Sequence, residues 1–314
     1  MKNDTVSNEI VRDIRQSFIN FTHVKTILAS LNRLHEYRCH GEEAEHVMLL
    51  GESGVGKSTL LAHYVGKHPR IEHEEITEIP VLHAVLGQSP TPKNMASTLL
   101  KALGDPKWHA GKEQELTERL TLLIEECRVR LVVIDETNHL IDRGGEKTLH
   151  TAADWLKGLV NETRVSFVLA GIPRTRRLLD TNDQLRERFR EVLEINRFSV
   201  ENTSAVREFR SALKAFKGYF RDLPTVDISG KDIARLFAFA TDGRLRDIRR
   251  LLVRAVQLAY EQSVPGLTVA VLAQAFRAVI YPGSPDERNP FHEKFNGVPL
   301  VTGDEPFSSS ERAK

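Results

Sequence analysis

Apolar positions along this chain change their period twice. From residue 8 to residue 38 they recur at helical spacing, with Ile10, Ile14, Phe18, Phe21 and Val24 on one stripe, which predicts one or two amphipathic helices. From His46 to about Ile195, short apolar runs alternate with helical stretches. Strands are predicted over 46–50, 79–86, 130–134, 165–170 and 191–195, and helices over 57–67, 92–103, 112–128, 146–161 and 174–188. Alternation of this kind, with short and nearly continuous apolar strands, predicts an α/β fold whose mostly parallel five-stranded sheet is covered on both faces. Beyond residue 200 the strand runs stop. Helical patterns over 200–217, 229–240, 244–263 and 268–280 are broken at Leu223-Pro224, Asp242-Gly243 and Pro265-Gly266, which predicts a small all-α domain. After Tyr281-Pro282-Gly283 the composition shifts to Pro, Gly, Ser and charge, and 282–314 reads as a mobile tail. The expected organisation is a helical segment over 1–40, a core over 41–198, a helical domain over 199–281 and that tail.

Composition narrows the class without naming a partner. The 314 residues are 40% apolar, enough to bury one large core or two modest ones. No run approaches the roughly 20 apolar residues that span a bilayer, so no membrane role is expected. The polar start Met1-Lys2-Asn3-Asp4-Thr5 does not resemble a signal peptide. Cys39 and Cys127 have neither metal spacing nor a disulfide framework, as expected of a cytoplasmic protein. Lys plus Arg number 44 against 43 Asp plus Glu, a net charge of +1, so any nucleic acid must be met by a local patch or by many copies acting together.

Candidate chemistry lies at two places in the alternating region. Gly51-Glu52-Ser53-Gly54-Val55-Gly56-Lys57-Ser58 fits G-x-x-x-x-G-K-[ST], after the apolar run His46-Val47-Met48-Leu49-Leu50 and before the helical run that begins at Thr59. A strand, a glycine turn and a helix N-terminus aim backbone N–H groups and the helix dipole at an anion. Lys57 then reaches the β- and γ-phosphates, and Ser58 offers its hydroxyl to Mg²⁺. Some 75 residues on, Leu131-Val132-Val133-Ile134 runs into Asp135-Glu136. Asp135 is expected in the Mg²⁺ shell, with Glu136 orienting an attacking water. Capping of the next helix is the simpler use of such acids, but their place after a P-loop favours hydrolysis. A kinase of small molecules would keep water from the γ-phosphate, which argues against that class. Right-handed crossovers would set the loop and the acid pair at the carboxyl ends of adjacent strands.

Over roughly residues 15–280 the chain resembles the AAA+ ATPases, and within them the TniB/TnsC transposition ATPases related to the phage Mu B protein. The likeness is carried by residues 46–59 (HVMLLGESGVGKST), 90–104 (PTPKNMASTLLKALG), 132–140 (VVIDETNHL), 167–173 (FVLAGIP) and 184–189 (QLRERF). It implies an AAA+ core followed by a helical lid, with ATP and Mg²⁺ as cofactors. It further implies a ring or filament on duplex DNA that bridges a target-selection factor to a transposase and disassembles on hydrolysis. Arg188 falls where such proteins place an arginine finger. Arg186 and Arg190 are its rivals, and the charges of 186–191 could equally pair with one another. Arg246, in Gly243-Arg244-Leu245-Arg246, falls at the lid arginine that reads the phosphates, although a generic basic helix has the same look. In the loop before 92–103, Thr91 and Lys93 are the candidate contacts to the DNA backbone; a capped proline turn would read alike. One departure stands out. The strand Val168-Leu169-Ala170-Gly171 lacks the polar residue expected near its end, so hydrolysis is expected to be slow or partner-dependent; Asn138-His139 could take part in sensing or equally just begin the next loop. Two alternatives stay open: a helicase-loader or initiator-like switch, and a protein-remodelling or secretion-associated ATPase without DNA.

Overall fold

The structure is a computed structural model and describes residues 2–40, 44–88, 90–142 and 145–308. Ser89 of the proline-rich loop, residues 41–43 at the expected start of the core, and residues 309–314 of the expected tail lie outside that description. In chain order the elements are α1 (Lys2–Gln16), α2 (Thr22–His40), β1 (His46–Leu50), α3 (Lys57–Gly66), β2 (Ile71–Glu72), β3 (Thr77–Glu78), β4 (Val81–Val85), α4 (Pro92–Leu103) and α5 (Glu113–Glu126). There follow β5 (Leu131–Asp135), α6 (His139–Asp142), α7 (Gly145–Thr163), β6 (Ser166–Gly171), α8 (Arg177–Asp180), α9 (Asp183–Arg188) and β7 (Glu191–Glu194). The last helices are α10 (Thr203–Lys217), α11 (Lys231–Thr241), α12 (Leu245–Glu261) and α13 (Val269–Val279).

The chain forms two compact units. One comprises residues 23–53 and 57–195, the other 1–22, 54–56 and 196–314. In the first, all pairings of the five-stranded sheet are parallel, in the order β4-β5-β6-β1-β7. β1, β5 and β6 are buried along their whole length, which is why their sequences run apolar without alternating. Met95, Leu99 and Leu103 of α4, Leu116 and Leu120 of α5, and Leu156 of α7 share one apolar cluster with the sheet. A short antiparallel pair, β2 with β3, was not foreseen. β6 lies between β1 and β5, so the P-loop strand and the acid-bearing strand are not adjacent, contrary to expectation. Strand order is decided by which crossovers the helices take, and local periodicity does not record it.

The second unit is helical. Leu245, Ile248, Leu252, Ala255 and Ala259 put a buried stripe along α12, and α1 packs against that helix. Arg221 pairs with Glu9 and Asp13, and Arg249 donates to the Ser17 carbonyl. The expected segment 1–40 therefore divides, α1 going with one unit and residues 23–40 with the other. The tail is also a correction. Residues 282–308 are folded, with Asn289, Phe291, Leu300 and Phe307 buried. The expected helix over 174–188 breaks into a 3₁₀ turn, α8 and α9, because Asn182 caps a new start by accepting from Leu185 N–H at 3.0 Å.

Candidate functional site

β1 ends on Leu50, and the loop that follows turns on two glycines at positive φ, Gly54 (+85°) and Gly56 (+111°), where a side chain would be strained. Lys57 opens α3 and is buried, its ammonium donating to the carbonyls of Gly51 (2.5 Å) and Glu52 (3.1 Å). Burial holds its pKa below the usual lysine range, opposed by the charges of Asp135, Glu136 and Glu52. Ser58, next in the helix, donates its hydroxyl to Asp135 Oδ2 at 2.8 Å, and Thr59 follows. Asp135, 1% exposed, accepts through Oδ1 from the Glu136 N–H at 2.8 Å. Glu136 is half-buried and sits at φ +58°, a left-handed backbone that disfavours a glutamate. The sequence-expected groups Lys57, Ser58, Asp135 and Glu136 are thus brought together.

β6 makes this meeting possible. Its last carbonyls anchor both loops, Gly171 O accepting from Gly51 N–H (3.1 Å) and Ala170 O from Thr137 N–H (2.9 Å) and the Thr137 hydroxyl (2.8 Å). A Cβ on Gly171 would collide with the Thr175 hydroxyl. The small residues Ala170 and Gly171, where a polar side chain was expected, leave room for loops from strands on either side to converge. Polar groups around this end are present nonetheless. Asn138, 6% exposed, has its Oδ1 without a hydrogen-bond partner among the described residues, as has the Thr175 Oγ1 at 0% exposure. Asp142, which Arg174 grips through two bonds, also accepts from the Asn138 side chain. His83 on β4 is a further polar neighbour, its pKa lowered by burial and raised in part by Asp135. Asn138 carried a sequence signal by following the acid pair; Thr175 and His83 carried none.

Gly54–Gly56 group with the helical unit. The Arg246 N–H donates to Gly54 O at 2.9 Å, and its guanidinium lies 3.2 Å from where a Gly54 Cβ would stand. Leu245 comes within 3.0 Å of the equivalent point on Gly56. Val55 between them is buried, whereas Ser53 is exposed. These approaches supply a second reason, besides φ, for glycine at both places. Asp247, 4% exposed, holds the Arg246 and Arg250 guanidiniums at 3.5 and 3.6 Å.

Arg188, the last residue of α9, is at the other end of the sheet. It lines a cleft of about 870 Å³ with His46, the first residue of β1, together with Arg33, Lys157 and Glu191. Its rivals are engaged, Arg186 by Asp183 at 2.7 Å and Arg190 by the Glu187 carbonyl at 3.0 Å. Arg188 is exposed and makes no hydrogen bond or ion pair among the described residues. His46 takes the Phe167 N–H on Nδ1 at 3.2 Å, leaving Nε2 without a partner among the described residues. Burial, and then the Arg188 charge, push its pKa down to about 4.

Thr91 caps α4, accepting from Asn94 N–H at 3.3 Å, and Pro92 opens the helix. Lys93 is exposed on that first turn. The capping alternative is thereby present in fact, without excluding a backbone contact by Lys93. Among the described residues no helix is long and apolar enough to cross a membrane.

A model of the bacterial TniB protein family matches residues 10–199. No curated protein matches the chain. Among solved structures, the ORC1 protein of Aeropyrum pernix, solved in complex with DNA, is 17% identical with TM-score 0.62, over 86% of this chain and 69% of that one. The ORC2 protein of the same organism, solved in ADPNP and ADP complexes, is 16% identical with TM-score 0.60, over 83% and 68%. Cdc6p of Pyrobaculum aerophilum is 15% identical with TM-score 0.60, over 85% and 69%. At these identities the likeness is one of fold, the AAA+ fold.

Proposed function

This chain belongs to the TniB family, and on that premise we propose that it is an ATP-driven switch that assembles on duplex DNA and regulates transposition. The observation that carries the reading is the contact of Ser58 Oγ with Asp135 Oδ2 at 2.8 Å, beside the buried Lys57 and the adjacent Glu136. Two oxygens this close, one of them a carboxylate, fit Mg²⁺, which takes few protein ligands and fills its shell with water and phosphate oxygens. Bound there, Mg²⁺ would neutralise charge on the β- and γ-phosphates.

The protein groups divide the remaining work. Backbone N–H groups from Gly54 to Thr59 cradle the phosphates, and Lys57 exchanges its loop carbonyls for phosphate oxygens. The Glu136 carboxylate accepts a hydrogen bond from the attacking water and aligns it. Arg246 reads the nucleotide through its tie to Gly54. Arg188 acts in trans. It shares a cleft with the start of β1, whereas the P-loop follows that strand's end, roughly 13 Å further along. An unpaired guanidinium there suits the γ-phosphate of a neighbouring copy. Polymerisation also answers the net charge of +1, since repeated weak phosphate contacts by Lys93 and Thr91 add up along an oligomer. The assembled form bridges a target-selection factor to a transposase, and hydrolysis takes it apart.

Electron microscopy with plasmid DNA and ATP tests the reading. Rings or filaments are expected with the parent and ATP, and none with Lys57→Ala, whose ATP affinity falls by about 10–100-fold. Wild-type assemblies from Lys57→Ala would remove the P-loop assignment. Tight, sequence-selective binding without ATP would favour the initiator-like alternative, and turnover with no DNA binding would favour a remodelling ATPase.

A further inference from the structure

The segment after α13 is drawn together around one arginine. Arg288 donates to Glu305, to Asn296 Oδ1 at 3.0 Å, and to the carbonyls of Val298 (3.2 Å) and Pro299 (2.9 Å). Asn289, fully buried, fastens the same segment to α13 through the Ala273 carbonyl at 3.0 Å. Glu305 in turn accepts from Thr302 N–H at 3.0 Å, and Phe307 N–H donates to Leu300 O at 3.1 Å. The result is a compact hook whose tip is Phe307, 4% exposed. The hook lines one side of an open cleft of about 250 Å³, with Phe198, Val200 and Phe239 among its other lining residues.

The tip meets the start of α12. The Arg244 guanidinium carbon stands 5.6 Å from the Phe307 ring centroid, over its face. Arg244 Nε is also 3.5 Å from Asp242 Oδ2, a carboxylate that Arg197 holds at 2.5 Å. Arg244 is the residue that caps α12, and Arg246, two positions on, carries the bond to Gly54. The turn has little freedom to absorb a shift, because Phe198 N–H donates to Gly243 O at 2.9 Å and a Cβ on Gly243 would run into the Phe198 carbonyl.

We propose that residues 286–307 form a brace for the nucleotide-reading arginine, with Phe307 as a positioning residue that acts through Arg244 on Arg246. The inference rests on the reading of Arg246 as a nucleotide contact.

Affinity for a fluorescent ATP analogue, measured well below each variant's melting temperature, tests it. Phe307→Ala and Phe307→Leu are each expected to weaken binding about fivefold, the scale of one cation–π contact, and Phe307→Tyr to keep the parental value. Phe307→Leu retains apolar bulk, so it separates loss of the ring face from loss of packing and keeps the test alive should Phe307→Ala misfold. In an Arg246→Ala background, removing the ring should cost nothing further, since the two act in series. Parental affinity in Phe307→Leu, or full additivity with Arg246→Ala, overturns the brace while leaving the ATPase reading intact. A parent that binds no analogue, or binds it as well as Lys57→Ala does, overturns both.

Discussion

The two edges of the one parallel sheet are finished in opposite ways. At the carboxyl edge Lys57 is held by loop carbonyls, Ser58 by Asp135, and Asp135 by the Glu136 N–H, while Asn138 Oδ1 and Thr175 Oγ1 stay buried without a partner among the described residues. At the amino edge His46 keeps an unpartnered buried nitrogen among the described residues, and Arg188 an exposed guanidinium, although Arg33 nearby clamps both Glu45 and Glu191. An edge already organised by its own chain can receive a small ligand with little rearrangement. An edge left open at one cation is suited to a group brought by another molecule. Half of a site completed by a neighbouring copy would look like this.

Removing Arg188 attacks the comparison most directly. Arg188→Ala is expected to lower steady-state ATP turnover by about 10³-fold or more, with ATP affinity near the parental value. Mixing it with Glu136→Gln should recover activity, because some interfaces then join an intact Glu136 to a donated Arg188. Co-assembled mixtures with no recovery at any ratio would make Arg188 a residue of its own subunit. Glu136→Gln alone keeps the shape and loses the carboxylate, so turnover should fall roughly 10²–10⁴-fold while binding survives. Assemblies on DNA should then persist longer in ATP, as followed by light scattering; unchanged hydrolysis would take Glu136 out of the reaction.

His46 reports on the amino edge through stability. Its folded pKa lies near 4 against 6.5 unfolded, so the unfolded chain binds the extra proton. The contribution is complete above pH 6.5 and is lost as pH falls through that value towards 4, by up to roughly 3 kcal/mol. Urea melts of His46→Asn, whose Oδ1 can still accept from Phe167 N–H, should show a flatter pH dependence across that window. His35, also lowered to about 4 by burial and then by His68 and Arg130, will keep part of the slope. The smallest effect is expected at Lys93. Lys93→Ala should weaken every duplex alike by only a few-fold per subunit and reduce the salt slope, leaving ATP affinity unaltered. An unchanged DNA affinity would move the contact elsewhere.

The carboxyl edge was legible because its constraints are local. Glycines at 54 and 56, a lysine and serine opening a helix, and two acids ending an apolar run all lie within a few residues of their strands. β1, β5 and β6 came out within one residue of the expected bounds for the same reason. What the pattern did not record are choices made by distant segments. The insertion of β6 between β1 and β5 depends on crossovers, and the room it leaves for Ser58 and Asp135 depends on Ala170 and Gly171 being small. The hook misled for a related reason. Its Pro, Gly, Ser and charges are those of a loose tail, yet Arg288 satisfies four of its polar groups and thereby lets Leu300 and Phe307 be buried. The pairing of Arg221 with Glu9 and Asp13 crosses most of the chain and left no trace in either stretch.

Glu136 invites a different conclusion about what keeps a residue in place. At φ +58° its backbone favours glycine, which would relieve on the order of 1 kcal/mol. The extra freedom of an unfolded glycine would offset much of that gain. Backbone conformation therefore exerts almost no hold on the identity of this residue. If Glu136 aligns the attacking water as proposed, a population selected for thermal tolerance alone could drift to Glu136→Gly at little cost in stability and lose turnover unnoticed. On that proposed role, selection on turnover is what would preserve this carboxylate.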